Sequence, residues 1–232
     1  MTAANLEFSI RKRFVILCEG PNDTAFFNAL IKADVDLSDY QATDPIGLGH
    51  VAAGNQHWLP ALKILMGATD IEKVDGLLIV GDKENDASGS FDKIVGALSA
   101  APKFPGPPAR KLAIPAKDRK RISGPPAISI LMMPPAAKRG ALESSLVVAA
   151  NNASNAATKK CVDAFCACAQ LNAGGPANRA KARLRALLLS QYKKDPSLSF
   201  SNIWRDCPKV VPLSDSVFDP IKQYLYDFKK GI

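Results

Sequence analysis

Short apolar runs that stop at a glycine, an acidic residue or a proline alternate along this chain with segments of helical periodicity. The runs are Arg13–Cys18, Leu77–Val80 and Ala127–Met133, with a weaker candidate at Tyr40–Ile46. Apolar residues recur at helical spacing over 22–33, 55–66 and 91–98. Continuous apolar runs are typical of strands buried on both faces, and strands that alternate with helices require crossover connections. The sequence therefore predicts an α/β fold with a mainly parallel sheet flanked by helices.

The pattern changes near residue 150. Residues 1–150 hold 17 basic and 16 acidic residues, whereas residues 151–232 hold 13 basic and 6 acidic ones and are predicted to be helical over 158–170, 178–191 and 218–229. We expect an α/β domain over 1–150 and a basic helical extension over 151–232 packed on it. Residues 101–126 contain seven prolines and seven basic residues and are expected to form a loop or an inserted hairpin.

Composition excludes several classes of protein. Hydrophobic residues make up 47% of the chain, too many for bulk disorder, yet no apolar run is long enough to span a membrane. The N-terminus has no apolar core typical of a secretory signal, so we expect a soluble, cytoplasmic protein without a membrane partner. The spacing of Cys161, Cys166 and Cys168 lacks the second ligand pair of a zinc site, so we expect these thiols to be free and buried.

Acidic residues directly follow two of the predicted strands. Glu19 comes after the first strand, and Asp82 and Glu84 come after Leu77–Val80. The carboxyl ends of parallel strands form one edge of a sheet, so we expect these carboxylates to be close if the two strands are neighbours. Such carboxylates repel one another unless a divalent cation lies between them or one stays protonated. Oxygen ligands suit Mg²⁺ or Mn²⁺, which favour chemistry at a phosphodiester.

Three motifs resemble the Toprim family, which includes primases, topoisomerases and overcoming-lysogenization-defect nucleases. The stretch Val15–Asp23 is similar to the opening motif, in which a Glu-Gly pair ends the first strand, and Leu78–Glu84 is similar to the Asp-x-Asp motif. Met132–Pro134 followed by Gly140–Glu143 resembles small stand-alone Toprim-like proteins. The resemblance covers about residues 13–150 and implies a Toprim-like sheet.

The resemblance also implies roles for individual residues. The implied ligands of Mg²⁺ or Mn²⁺ are Glu19, Asp82, Glu84 and Glu143, with Asp86 as a near neighbour able to replace one of them. Glu19 would also serve as general acid or base. Gly20 and Asp23 would support the site from the first motif.

Basic residues in three places are candidates for contact with nucleic acid. They are Arg110, Lys111 and Arg119 in the proline-rich stretch, Lys138 and Arg139 before the third motif, and Arg179 and Arg183 in the predicted helix 178–191. Lys181 and Arg185 widen the basic arc of that helix. The alternative is that these residues form an ordinary solvated surface.

The leading hypothesis is a metal-dependent Toprim-type nuclease that hydrolyses DNA or RNA. Similar stand-alone proteins imply an antiphage defence effector that works with a partner ATPase or as a homo-oligomer. A catalytically silent Toprim-fold module that binds nucleic acid or protein is the alternative, because Glu84 replaces the usual Asp and Lys83 lies between the two acids. A third hypothesis is a phosphotransferase that acts on free nucleotides.

Overall fold

Four parallel strands form the centre of the protein. A computed structural model describes residues 8–50, 52–68, 70–101, 126–135, 137–192, 194–195 and 197–232. The strands are β1 (Phe14–Cys18), β2 (Tyr40–Thr43), β3 (Gly76–Asp82) and β4 (Ala127–Met133). They pair in the order β2-β1-β3-β4, and every pairing is parallel. The predicted α/β fold is confirmed.

Helices flank this sheet on both sides. They are α1 (Pro21–Ala33), α2 (Trp58–Gly67), α3 (Ala87–Ala100), α4 (Leu142–Ala153), α5 (Ala156–Cys168), α6 (Pro176–Gln191), α7 (Ile203–Asp206) and α8 (Asp219–Lys230). The helices predicted from the sequence overlap α1, α2, α3, α5, α6 and α8. Gly20 is the N-cap of α1. Pro21 occupies the first turn, where its missing N–H costs no hydrogen bond.

The strand order reverses direction between β1 and β3. Alternate β1 residues face two separate apolar cores, so that Ile16 packs with α1 while Leu17 packs with α2 and α3. The connection after β1 therefore runs over one face of the sheet, and the connection after β3 runs over the other. A crevice opens at the carboxyl ends of two strands whose connections diverge in this way, and ligands bind at such points in open α/β sheets.

The C-terminal helices share one core with the sheet. Leu184 of α6 and Phe228 of α8 belong to the same buried cluster as Phe14 of β1. The Tyr40 hydroxyl donates to the Leu225 carbonyl oxygen over 2.6 Å, which ties β2 to α8. Among the described residues, no helix combines the length and the apolar character needed to cross a lipid bilayer.

The three clustered cysteines do not share one environment. Cys166 is buried, but Cys161 and Cys168 are exposed, and all three are free thiols. The prediction that all three are buried is wrong for two of them. On a helix of 3.6 residues per turn, residues five or two positions apart point in different directions. Because one face of α5 packs against α6, only one of the three thiols is buried.

Candidate active site

Glu19 and Asp82 meet at the crevice between β1 and β3. Glu19 directly follows β1, and its Oε2 accepts a hydrogen bond from the Asp82 backbone N–H over 3.3 Å. Asp82 is the last residue of β3, and its buried Oδ1 accepts from the Leu142 N–H over 3.0 Å. Leu142 is the first residue of α4. The structure thus brings together two acids that are 63 residues apart in sequence.

Backbone hydrogen bonds join the segments that carry Glu84 and Glu143. Glu84 exchanges two backbone hydrogen bonds with Gly140, of 2.7 and 2.9 Å. Its backbone φ of 48° lies in the left-handed region, which a glutamate rarely adopts. Glu143 lies in the first turn of α4 and is 5% exposed. The segment after β3, which carries Glu84, is therefore held next to the segment that leads into α4 and Glu143.

The carboxylates interact with one another electrostatically. Burial raises the pKa of Asp82 well above its usual range, and the charges of Asp23, Glu19 and Glu143 add to this effect. Burial also raises the pKa of Asp23, to about 8, with Glu143 and Glu19 as the main charged causes. Like charges held close together in a half-buried site disfavour ionisation.

Glu19 and Glu143 share this environment. Burial raises the pKa of both, and the charge of Glu84 adds to the effect on each. Backbone N–H groups of Asp82 and Asn55 oppose the shift at Glu19, since they stabilise its ionised form. We name this set of five carboxylates the acidic cluster; its members are Glu19, Asp23, Asp82, Glu84 and Glu143.

The positive charge that balances the acidic cluster comes from the C-terminal third of the chain. Lys181 of α6 is half-buried; burial lowers its pKa, but the charges of Glu143, Asp82, Glu84 and Asp23 outweigh burial, and the pKa is raised. The sequence alone predicts Lys181 only as part of the basic surface of this helix. Its position four residues after Ala177 and three before Leu184, both buried, was the signal that it points inward.

The chemistry of the acidic cluster fits Mg²⁺ or Mn²⁺. Its side chains are oxygen ligands. Burial raises the pKa of Glu19 and Asp82, the charges of neighbouring acids add to this, and a divalent cation would offset that repulsion. Among the described residues, no three His, Cys, Asp or Glu side chains are arranged to hold a metal ion directly. Mg²⁺ commonly uses one or two protein carboxylates and retains several waters, so a looser arrangement is compatible with it.

Asp86 and Lys83 have other partners. Asp86 caps α3, where its Oδ1 accepts from the N–H groups of Ser88 and Gly89 over 3.1 and 3.0 Å. Its role as a replacement metal ligand stays a prediction. Lys83, which lies between Asp82 and Glu84 in the sequence, donates its ammonium N–H groups to backbone carbonyls.

The residues predicted to contact nucleic acid differ in whether their side chains are exposed or already bound within the protein. Lys138, Arg139 and Arg179 are exposed. Arg183 is engaged within the protein by an ion pair with Asp163 of 2.6 Å. Arg110, Lys111 and Arg119 lie outside the described residues.

Arg185 is also held inside the fold. It bonds the Leu198 carbonyl and lies 4.5 Å from the centre of the Phe200 ring. Of the basic residues on α6, Arg179 and Lys181 therefore remain the best placed to meet a ligand.

The loop after β2 borders the acidic cluster, which the sequence analysis did not foresee. The Gly54 N–H donates to the Glu19 carbonyl oxygen over 3.0 Å, and the neighbouring Asn55 N–H stabilises the Glu19 carboxylate. The rings of His50 and His57, the two histidines of the chain, lie 4.8 Å apart in this loop. The sequence of this loop has no local motif, because its tertiary contacts determine its position.

A comparison with protein families assigns the chain. The family described as "Protein of unknown function (DUF3226)" matches residues 13–228. The chain belongs to the DUF3226 family. The DUF3226 match includes the whole acidic cluster and also Lys181, so the sheet and the C-terminal helices fall within one family region. The chain matches no curated protein and no solved structure.

Proposed function

We propose that this DUF3226 chain is a Toprim-like, metal-dependent nuclease that hydrolyses phosphodiester bonds of DNA or RNA. The observation that carries the proposal is the acidic cluster at the β1/β3 crevice, where four carboxylates have raised pKa values. This part of a parallel sheet is a usual place for ligands, and strongly perturbed acids in a cleft are candidates for catalysis. The expected role in antiphage defence, with an ATPase or a second copy as partner, depends on the resemblance alone.

Asp82, Glu84 and Glu143 would hold Mg²⁺ or Mn²⁺. When bound, the cation supplies positive charge to a phosphoryl oxygen. The Leu142 N–H fixes the orientation of the Asp82 carboxylate through a 3.0 Å hydrogen bond. Glu19 is suited to accept and return a proton, because burial raises its pKa while two N–H groups keep it oriented. The chain itself therefore provides the proton-transfer group and the anionic anchor.

Exposed basic residues near the crevice would bind the phosphate backbone. Lys138 and Arg139 directly precede Gly140, which is bonded to Glu84, and Arg179 lies in the first turn of α6. Side chains of this kind bind phosphates without reading base sequence. Affinity for nucleic acid is therefore expected to fall steeply with added salt.

The direct test is incubation of the purified protein with Mg²⁺ or Mn²⁺ and plasmid DNA, single-stranded DNA or tRNA. We expect cleavage of at least one polymer, which stops when the cation is chelated. Asp82→Asn should abolish cleavage, because the cation loses an anionic anchor, whereas Asp92→Asn, at an exposed position of α3, should not. Activity on free nucleotides but on none of the polymers would contradict the proposal in favour of a phosphotransferase.

A catalytically silent binding module is the second candidate. Two observations favour it: the described residues contain no ready three-ligand metal site, and Glu84 is longer than the aspartate usual at this position of the Toprim motif. A Mg²⁺ titration followed by thermal unfolding separates the two. The nuclease proposal predicts a rise in melting temperature that Asp82→Asn removes, and the silent module predicts no rise.

Lys181→Met tests whether Lys181 balances the acidic cluster. Without a divalent cation, we expect the free energy of unfolding to fall by about 1–3 kcal/mol, because half-buried carboxylates lose their counter-charge. Mg²⁺ should restore more stability to this variant than to the wild type. The measurement is urea unfolding in EDTA and in Mg²⁺, with Lys160→Met on the exposed surface of α5 as control. Equal behaviour of the two variants would contradict this role.

A further inference from the structure

Lys83 is a buried cation without an acidic partner among its hydrogen bonds. Lys83 directly follows Asp82, the last residue of β3, and it is 5% exposed. Its ammonium donates to the carbonyl oxygens of Pro134, Pro135 and Ala137 over 2.8, 3.2 and 2.6 Å. Lysine has three N–H donors, so all of them are used on one short loop. Burial of a charge is costly unless it is satisfied in this way.

The same loop is fastened at both ends. The Lys83 N–H donates to the Met133 carbonyl oxygen over 2.9 Å, where the loop begins. Glu84 and Gly140 exchange two backbone hydrogen bonds, where the loop ends. Lys138 and Arg139 lie between these attachment points, with their side chains exposed. The loop therefore has a fixed base and a basic tip beside the acidic cluster.

We propose that Lys83 is a positioning residue that latches the loop described at 134–135 and 137–140, so that Lys138 and Arg139 face a phosphate of a nucleic acid bound at the acidic cluster. The identity of the ligand depends on the proposed function, whereas the latch does not. Removal of the ammonium leaves three carbonyl groups without their donor, and hydrogen bonds to a charged group are stronger than neutral ones. The loop is then expected to open locally while the strands stay paired.

Limited proteolysis of Lys83→Met with trypsin tests the latch without any assay of activity. We expect cleavage after Lys138 or Arg139 to become at least about tenfold faster, as for local opening made easier by about 1.4 kcal/mol. Cleavage after Lys160 in α5 should not change, nor should either rate in Lys93→Met, an exposed control. Mass spectrometry of the new C-termini gives the rates. Unchanged cleavage of the loop, or an equal rise at all three sites, would overturn the latch.

The wild-type protein offers an independent measurement if Lys83→Met does not fold. Hydrogen exchange should show strong protection of the Glu84 and Gly140 amides, because both donate within the attachment of the loop. Exchange of these two amides as fast as that of an unstructured peptide would refute the latch.

A double-mutant cycle then connects the latch to the ligand. The probe is a fluorescent single-stranded DNA oligonucleotide, bound with Ca²⁺ in place of Mg²⁺. Lys83→Met should weaken binding about 3- to 10-fold in the wild-type background and not at all when Lys138 and Arg139 are already Gln, since coupled residues are not additive. Equal weakening in both backgrounds would overturn the positioning role. If the wild type binds no polymer, the proposed function fails, while proteolysis still decides the latch.

Discussion

Glu19→Gln is expected to abolish Mg²⁺-dependent cleavage of nucleic acid while the fold stays intact. Glutamine keeps the shape and one acceptor oxygen, so the Asp82 N–H retains its partner. It cannot take up a proton, and loss of a general acid or base costs about 10²- to 10⁴-fold in rate. Single-turnover cleavage of a labelled oligonucleotide measures this loss.

The same variant should become more stable without a divalent cation. Burial and the charge of Glu84 raise the pKa of Glu19, so its ionised form is unfavourable in the folded protein. Replacement by a neutral side chain removes this repulsion and raises the melting temperature in EDTA. Glu72→Gln, at an exposed glutamate, is the matched control and should change neither property. A variant that loses activity and also melts at lower temperature would instead assign Glu19 a structural role.

The stability of the cation-free protein is expected to fall as pH rises. Asp23 has a pKa of about 8 in the fold against an ordinary value of 3.8, and the pKa of Asp82 is also raised. Between these values the folded protein binds protons that the unfolded chain has released. The free energy of unfolding therefore decreases with pH, by up to about 1.4 kcal/mol per pH unit for each such group.

Urea unfolding in EDTA at a series of pH values between about 5 and 8 measures this slope. A saturating concentration of Mg²⁺ should flatten it, because a bound cation favours the ionised carboxylates. Asp23→Asn should reduce the slope in EDTA, whereas Asp163→Asn, at an exposed acid of α5, should not. Stability that is constant or rises over this range would show that the carboxylates are not coupled in solution.

The sheet and much of the acidic cluster could be predicted from the sequence because their sequence signals are local. Continuous apolar runs mark buried parallel strands, and an acid that follows such a run lies at the sheet edge whatever the rest of the chain does. Glu19 and Asp82 are examples. The sequence left open whether the first and third strands are neighbours, and the parallel pairing of β1 with β3 in the structure meets this condition.

The roles of residues that depend on tertiary packing could not be predicted from the sequence. Lys181 reaches the acidic cluster because α6 docks against α4, and its spacing from Ala177 and Leu184 indicates an inward direction only once the buried face of α6 is known. The Lys83 ammonium is bound by carbonyl oxygens of a loop about 50 residues later, and no pattern in the local sequence indicates these partners. The loop at 50–57 has no pattern of its own, and backbone contacts with Glu19 place it.

Because α6 and α8 complete the core that begins at β1, the order of synthesis matters. A nascent chain that has left the ribosome only as far as α4 carries every carboxylate of the acidic cluster but lacks both the counter-charge of Lys181 and the packing of Phe228. Such an intermediate lacks the counter-charge and the part of one core that α6 and α8 contribute, although the other core, against α2 and α3, is complete. We therefore expect the proposed activity at this crevice to require translation past α6, late in the making of the molecule.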